Sequence, residues 1–306
     1  MQHIVLLGDR DFGMLARKGF ARFLPPRYER DLATGKPIRE FVTLARRLIE
    51  AGFEAAPESR PPLVDSDCRV HVLKFGPCGV DSERARISRY GGRNTSEWNL
   101  RNLEMIPYWD SLVDLGRRTW ALNLRTDAER LRELLREHGR LFVKSIVKGH
   151  AEIVSSFDAY MRELGPLELL DGDSVSVLVS EVLAIRAIDA VTGGRERRRT
   201  DEWRHWIYKG RRVATSHAFD CDERRTPSDS REANERFAEA TAERLRSTEF
   251  ATTYVLDTCT LAGSGWAVVE ANYFFSSGIY SEEAIDAIAT AIVRDCQGGE
   301  RAAAAG

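Results

Sequence analysis

Three oxygen-bearing side chains near the C-terminal end of the sequence are the first candidates for chemistry. Glu270 and Asn272 end the apolar run WAVVEAN, residues 266–272, and Asp257 lies within the apolar run TYVLDTCTL, residues 253–261. Alternate residues of a strand point to the same face of a sheet, so Glu270 and Asn272 would project together. Two carboxylates and an amide, with no His or Cys nearby, suit a hard cation such as Mg²⁺.

The segment AGSG, residues 262–265, predicts how the two runs pair. If AGSG is a four-residue hairpin loop, Leu261 faces Trp266, and Asp257 then lies directly across from Glu270. Like charges directly opposite each other destabilise a sheet, so this pair would need a cation or a proton between its carboxylates. A single β-bulge would break the register. The alternative is that Glu270 leaves the core at a strand end and that Asp257 is solvated.

Composition and charge exclude several classes of function. The chain has 306 residues, with 45 Lys and Arg against 47 Asp and Glu, and this balance gives no electrostatic case for nucleic acid or a membrane as the main partner. The five cysteines are scattered and form no CxxC pair, so neither a zinc site nor a disulfide framework is predicted. No apolar stretch approaches the length of a membrane span. We therefore expect reduced thiols and a cytoplasmic location.

The N-terminal third of the sequence predicts an α/β unit. Residues 3–8 and 69–76 have the patterns of strands, and residues 39–55 between them have the apolar spacing of a helix. A strand, a helix and a strand in this order favour an α/β N-terminal domain over residues 1–115. At the other end of the chain, residues 297–306 predict a flexible tail.

Further polar side chains lie on predicted strands in the middle of the chain. Lys144 and Lys148 belong to the strand-like run RLFVKSIVKGH, and Glu181 lies near the end of the alternating run SVSVLVSEVL. Glu202 and Arg204 begin the hairpin EWRHWIYKGRRV and share one face of its first strand. Each has a structural alternative: a solvent-facing lysine, an edge carboxylate, or an exposed ion pair that contributes little to stability.

Taken in this order, these motifs make the chain resemble the ATP-grasp superfamily, in particular the branch that includes ribosomal-protein glutamate ligases and their bacterial and phage relatives. The resemblance covers roughly residues 116–296. Its most specific element is the strand ending VVEAN followed by YFFSSGIY, and the Glu-Trp-Arg hairpin is the next most specific. The fold it implies is α/β (α+β), with two α+β lobes, residues 116–182 and 183–296, that clamp a nucleotide and follow the α/β N-terminal domain.

The resemblance also implies where ATP would bind. Lys144 matches the strand lysine that reaches the ATP phosphates or adenine N7, and Lys148 lies in the short loop that would cover the phosphates. Glu181 matches the acidic residue of the hinge strand, which takes the adenine amine or the ribose hydroxyls. Val182 and Leu183 would then lie along the adenine slot.

The metal and phosphate ligands follow from the same resemblance. Asp257, Glu270 and Asn272 match the metal-binding set of the family, which bridges Mg²⁺, or Mn²⁺ as an alternative ion, to the ATP phosphates. Glu202 is expected to take part in nucleotide binding. Arg204 is expected to contact phosphate or the carboxylate substrate, because its planar guanidinium suits either group.

The activity that the resemblance implies is ATP-dependent carboxylate–amine ligation through an acyl phosphate, with small-molecule or peptide carboxylates and amines as substrates. Backbone amides of residues 276–278 would receive the acceptor substrate, unless this segment is an ordinary turn before a helix. Two other functions stay open, a phosphotransferase or kinase on the same fold and a non-catalytic nucleotide-binding module. The sequence leaves the identity of the acid and the amine open, and with it the oligomeric state.

Overall fold

The computed structural model describes the parts of the chain that form the sheets and the helices packed on them. The described residues are 2–7, 39–57, 68–72, 115–123, 126–145, 151–163, 176–192, 195–218, 230–246, 253–272, 274 and 277–304. Within these ranges, no helix is both long enough and apolar enough to cross a membrane.

The N-terminal unit is a small parallel sheet with a helix packed on it. Strand β1, Gln2–Leu7, lies between β2, Glu54–Pro57, and β3, Cys68–Val72, and pairs with both in parallel. Helix α1, Arg39–Glu50, precedes β2 and buries one apolar stripe, as its helical spacing predicts. The predicted strand, helix and strand are therefore present, and after the helix the chain turns at Gly52, which has a φ of 97°, and enters β2.

A second sheet is antiparallel and carries two helices of its own. Its buried face forms a separate apolar core with the helix residues Leu131, Leu134 and Leu135. In sheet order the strands are β4, Thr119–Asn123, β7, Ser176–Glu181, β5, Leu141–Ser145, and β6, Ala151–Val154, and the helices are α2, Ala128–His138, and α3, Phe157–Glu163.

A third sheet is also antiparallel and lies between two long helices. A separate two-stranded hairpin precedes it in the chain. The hairpin is β8, Ala187–Thr192, and β9, Arg195–Thr200; the sheet, in order, is β11, Arg211–His217, β10, Glu202–Tyr208, β12, Tyr254–Thr260, and β13, Trp266–Asn272; the helices are α4, Arg231–Arg246, and α5, Glu282–Ala304. Residues 297–304, predicted as tail, are thus helical.

The two helices cover opposite faces of the third sheet. Tyr254 and Leu256 of β12 pack in the core beneath α4, whereas Val255 packs in the core beneath α5. Every residue of β12 is buried, because both of its faces are covered. Since side chains alternate between faces, Asp257 lies on the same face as Val255 and away from α4.

Neutral polar side chains hold the α4 face together. The ring of His205 is hydrogen-bonded through Nδ1 to Thr215 Oγ1 at 3.0 Å and through Nε2 to Thr258 Oγ1 at 2.9 Å. Thr258 Oγ1 also donates to Asn234 Oδ1 of α4 at 2.8 Å. Burial lowers the pKa of His205 to about 3, so this ring is neutral at ordinary pH. The network fixes β10, β11 and β12 relative to one another, and Arg212 Nη1 also donates to Thr215 Oγ1 at 3.3 Å.

The N-terminal unit shares a core with the third sheet. Leu7 of β1 and Leu48 of α1 belong to the same buried cluster as Trp206 of β10 and Ile288 of α5. On the surface, Arg47 Nε donates to Asp286 Oδ1 at 2.7 Å. The unit is therefore packed against the third sheet through α5.

Replacing Ile288 by alanine tests this shared core. Ile288 is fully buried, so Ile288→Ala leaves a cavity and is expected to lower the free energy of unfolding by about 2–5 kcal/mol. Urea denaturation followed by circular dichroism measures the change. Arg294→Ala, an exposed position of the same helix, serves as the control and should change little. Equal stability of both variants would contradict the shared core.

Candidate functional site

The hairpin of β12 and β13 has a longer loop than the sequence predicted. Thr260, and not Leu261, pairs with Trp266. Leu261 instead forms an isolated bridge to Ile185, and its N–H donates to the carbonyl of Gly265 at 3.0 Å. The predicted pairing of Leu261 with Trp266 is therefore wrong, because Leu261 is drawn toward the segment after β7.

A β-bulge further along the hairpin restores the predicted carboxylate pair. The register shifts between Asp257 and Thr258, so that Thr258 pairs with Val268 while Asp257 pairs with Glu270. Val269 is the extra residue of β13 at this shift. The pairing next to the loop is shifted by one residue from the predicted register, and the extra residue in β13 reverses this shift. The two carboxylates therefore lie opposite each other as expected.

Two cationic side chains neutralise these carboxylates. Arg204 binds Asp257 through two guanidinium nitrogens: Nε donates to Oδ1 at 2.8 Å and Nη2 donates to Oδ2 at 2.7 Å. Lys144 Nζ, from the second sheet, forms a hydrogen-bonded ion pair with Glu270 Oε2. Asn272 Nδ2 donates to Glu270 Oε1 at 2.7 Å and to Asp257 Oδ2 at 3.3 Å. Protein side chains thus supply the cations that the pair requires.

The structure excludes three of the alternatives left open by the sequence: a solvated Asp257, a solvent-facing Lys144 and an ion pair between Glu202 and Arg204. Asp257 is 4% exposed, so it is not solvated. Lys144 does not point freely into solvent, because it reaches across from β5 to Glu270 on β13. Arg204 pairs with Asp257 on the neighbouring strand and not with Glu202 along its own strand.

Electrostatics keep Glu270 ionised despite its burial. Burial alone would raise the pKa of the Glu270 carboxyl, but the Lys144 ammonium, the Asn272 amide and the Arg204 charge together lower this pKa below its ordinary value. Burial also raises the pKa of Glu202, and the neighbouring charges of Asp257 and Glu270 raise it further, although a hydrogen bond from Thr200 opposes them.

The turn before α5 closes one side of the cluster. Arg204 Nη1 donates to the carbonyl of Gly278 at 3.3 Å and to Tyr280 Oη at 3.4 Å, and its Cζ lies 5.3 Å from the centre of the Tyr280 ring. A Cβ at Gly278 would lie 3.0 Å from this ring, so a side chain there would displace the tyrosine. Ile279 N donates to Glu40 of α1, which ties the turn to the N-terminal unit. Sequence reasoning missed Tyr280 and Glu40.

A cavity lies at the end of β7, where the resemblance places adenine. It has a volume of about 340 Å³, and its lining includes Glu181, Val182 and Leu183 together with His138 and Arg140. Glu181 Oε2 accepts from the backbone N–H of Arg118 at 3.0 Å, and His138 Nδ1 lies 3.6 Å from Glu181 Oε1. The three predicted slot residues thus line one concave surface.

One further residue, Arg117, bridges this end of β7 to the bulge in β13. Its Nη2 donates to the carbonyl of Val269 at 3.1 Å, and its Nη1 donates to the carbonyl of Glu181 at 3.5 Å. Arg117 is 8% exposed, and its Cζ lies 4.8 Å from the centre of the Phe142 ring. Sequence reasoning missed Arg117 because no local pattern marks it.

Two of the predicted positions lie outside the described residues, Lys148 and Ser276. Glu202 lies on the same face of β10 as Arg204, opposite Cys259 of β12, and is half-buried. His217, at the end of β11, is buried with its ring 5.1 Å from that of Trp203, and burial lowers its pKa to about 4.

The donor set fits a magnesium ion. Asp257, Glu270 and Asn272 bring two carboxylates and one amide into mutual contact, and oxygen ligands of this kind are the ones Mg²⁺ prefers. Asn272 would bind through Oδ1 after rotation of its amide. Among the described residues, no group of three or more His, Cys, Asp and Glu side chains could hold a metal. Water and substrate oxygens would therefore complete the shell, as is usual for Mg²⁺.

The charge of Glu270 predicts a dependence of stability on pH. A carboxyl whose folded pKa is lowered stabilises the fold above its ordinary pKa, 4.5, and this contribution is lost as the pH falls through the folded value. We expect the wild-type protein to be more stable than Glu270→Gln at pH 7, with the difference shrinking below about pH 4.5. Urea denaturation between pH 7 and pH 3 measures it. Glu282→Gln, exposed on α5, is the control, and a pH-independent difference for Glu270→Gln would refute the assignment.

Comparison with known proteins connects this geometry to a family. Residues 184–292 match the model of an ATP-grasp domain, clade family 3. No curated protein sequence matches the chain. Among solved structures, the RimK domain protein ATP-grasp from Sphaerobacter thermophilus DSM 20745 is similar with a TM-score of 0.57 at 14% identity, covering 94% of this chain and 98% of its own.

Two further structures are similar over nearly the whole chain. D-cycloserine synthetase DcsG has a TM-score of 0.59 at 14% identity, covering 96% of this chain and 99% of its own. The ATP-grasp ligase PsnB, solved with a minimal precursor, Mg and ADP, has a TM-score of 0.53 at 12% identity, covering 95% and 96%. These similarities confirm the fold that the sequence resemblance implied: residues 184–292 match an ATP-grasp domain, and the chain has the ATP-grasp fold.

Proposed function

We propose that the protein is an ATP-dependent carboxylate–amine ligase that forms an amide or peptide bond through an acyl phosphate. The observation that carries the proposal is the charge-compensated row of Lys144, Glu270, Asp257 and Arg204, with Asn272 bonded to both carboxylates. Such a row brings the cations for phosphate oxygens and the ligands for Mg²⁺ into one cluster. The cavity at the end of β7 adds a place for the adenine.

Asp257, Glu270 and Asn272 would hold magnesium, which would supply positive charge close to the ATP phosphates. Lys144 would then be held less tightly by Glu270, because this carboxylate would share its negative charge between the ammonium and the metal ion. A released Lys144 is a mobile point charge that can reach phosphate oxygens. We therefore propose that Lys144 exchanges its carboxylate partner for phosphate when the nucleotide binds.

Arg204 has a different task, since Asp257 fixes its position. Nε and Nη2 bind Asp257, while Nη1 faces the carbonyl of Gly278 and the hydroxyl of Tyr280. This remaining edge can turn to the transferred phosphoryl group or to the carboxylate of the substrate. Tyr280 lies beside it and would help to orient the same group.

The reaction then proceeds in two balanced steps. A carboxylate oxygen of the acid attacks the γ-phosphorus of ATP, and the bond from that phosphorus to the ADP oxygen breaks. The amine nitrogen next attacks the acyl carbon, loses a proton, and expels inorganic phosphate. Positioning and electrostatic stabilisation supply most of the rate enhancement in such transfers.

We describe the substrates by chemical class only. One structural neighbour is a D-cycloserine synthetase, and another is a ligase bound to a minimal precursor. We therefore propose a small-molecule or peptide carboxylate as the acid and a small-molecule or peptide amine as the acceptor. The described cysteines, Cys259 and Cys296, are buried, and a cytoplasmic location stays a prediction.

A screen for ADP release tests the proposed ligation. Wild-type protein with Mg²⁺, ATP and pools of amino acids and peptides should release ADP and free phosphate in equal amounts, and Asp257→Asn and Glu270→Gln should lose at least about 100-fold in rate because the metal ligands are lost. Glu282→Gln is the matched control, since this carboxylate is exposed on α5. Phosphate that stays on the acceptor would identify a kinase instead. Full turnover by the Asp257 and Glu270 variants would refute the site.

A further inference from the structure

We propose that Arg117 is a positioning residue that couples the nucleotide cavity to the metal ligands. It ties the end of β7, which lines the cavity, to the bulge in β13 directly before Glu270. The inference rests on the proposed function, because it assigns a role to Arg117 toward ATP and Mg²⁺.

The bulge is the feature that Arg117 stabilises. Val269 is the extra residue of β13, so it has no partner in the ladder with β12. Its carbonyl instead accepts from Arg117 Nη2 at 3.1 Å. Without the bulge, the pairing set at the loop would continue along the hairpin, and Glu270 would move to the opposite face, toward α4. The hydrogen bond to Val269 therefore favours the register that brings Glu270 to Asp257.

The cost of burying Arg117 supports a specific role. Arg117 is 8% exposed as a residue, and its guanidinium donates to two backbone carbonyls and forms no ion pair with a carboxylate of the described residues. Its Nε has no hydrogen-bond partner among these residues. A buried charge with so few partners costs stability, and a residue chosen only for stability would be apolar here. The nearby charges of Glu270 and Glu202 offset part of this cost.

Gly116, the residue before Arg117, packs closely against the backbone of β13. A Cβ at Gly116 would lie 2.5 Å from the carbonyl oxygen of Val268, closer than side-chain carbons approach backbone oxygens. Glycine is therefore required at position 116, because the chain passes directly over β13 next to the bulge. Gly116 and Arg117 together hold two consecutive residues of β13, Val268 and Val269.

The coupling between Mg²⁺ and ATP tests the role of Arg117. The dissociation constant of ATP is measured by isothermal titration calorimetry with and without Mg²⁺, and the ratio gives the coupling factor. Arg117→Met should lower this factor by about tenfold, as the loss of a residue that orients metal ligands typically does. Gly116→Ala should lower it as well, because its methyl group would push β13 away. A purely structural role would lower the melting temperature and leave the coupling factor of the folded protein unchanged.

Two controls make each outcome decisive. Arg118→Met removes a neighbouring exposed arginine and should leave the coupling factor unchanged. If Arg117→Met does not fold, Arg117→Lys decides, since a lysine reaches one carbonyl at a time and should give an intermediate factor. A wild-type factor in Arg117→Met, or in Arg117→Lys where that variant is needed, overturns the inference. Wild-type protein that binds ATP equally with and without Mg²⁺ contradicts the proposed function instead.

Discussion

The mutual compensation of two acidic and two basic side chains is the constraint on which the rest of the site depends. Asp257 and Glu270 occupy directly opposed positions of a sheet whose faces are both covered. An unpaired charge in such a place destabilises a protein by about 3–5 kcal/mol. Arg204 from the neighbouring strand and Lys144 from the other sheet remove this cost. The cluster therefore exists only where the second and third sheets meet.

The third sheet carries different polar contacts on its two faces. Toward α4, His205 and its threonine partners form a buried network, and Arg212 of β11 pairs with Glu239 of α4. Toward the other face, Lys144 pairs with Glu270 from a different sheet. An ion pair that joins two sheets depends on how those sheets pack together, whereas these contacts toward α4 stay within one sheet and its helix.

The two ends of the site are joined by backbone contacts. The cavity at the end of β7 and the Glu270 carboxylate of β13 belong to different sheets, and Arg117 bonds to a carbonyl of each strand. The turn before α5 makes a comparable link, because Gly278 accepts from Arg204 while Ile279 donates to Glu40 of the N-terminal unit. Residues from the N-terminal unit and from both antiparallel sheets therefore hold this cluster in place, as the proposed ligation would require.

The sequence by itself determined the local features of this protein. Period-two alternation placed Glu270 with Asn272 and Glu202 with Arg204, because side chains of a strand alternate regardless of what surrounds it. The order of the motifs predicted the ATP-grasp fold that the structural comparisons confirm. The N-terminal strand, helix and strand also followed from local spacing alone.

Only the tertiary structure decided how these pieces meet. The loop of the last hairpin is longer than its residues predicted, and the bulge at Val269 that compensates for it is held by Arg117, far away in the sequence. The ion pair of Lys144 with Glu270 and the tie between Glu40 and Ile279 likewise join distant segments. Spacing along a chain carries no information on such encounters, because they follow from the packing of whole sheets and not from the conformation of neighbouring residues.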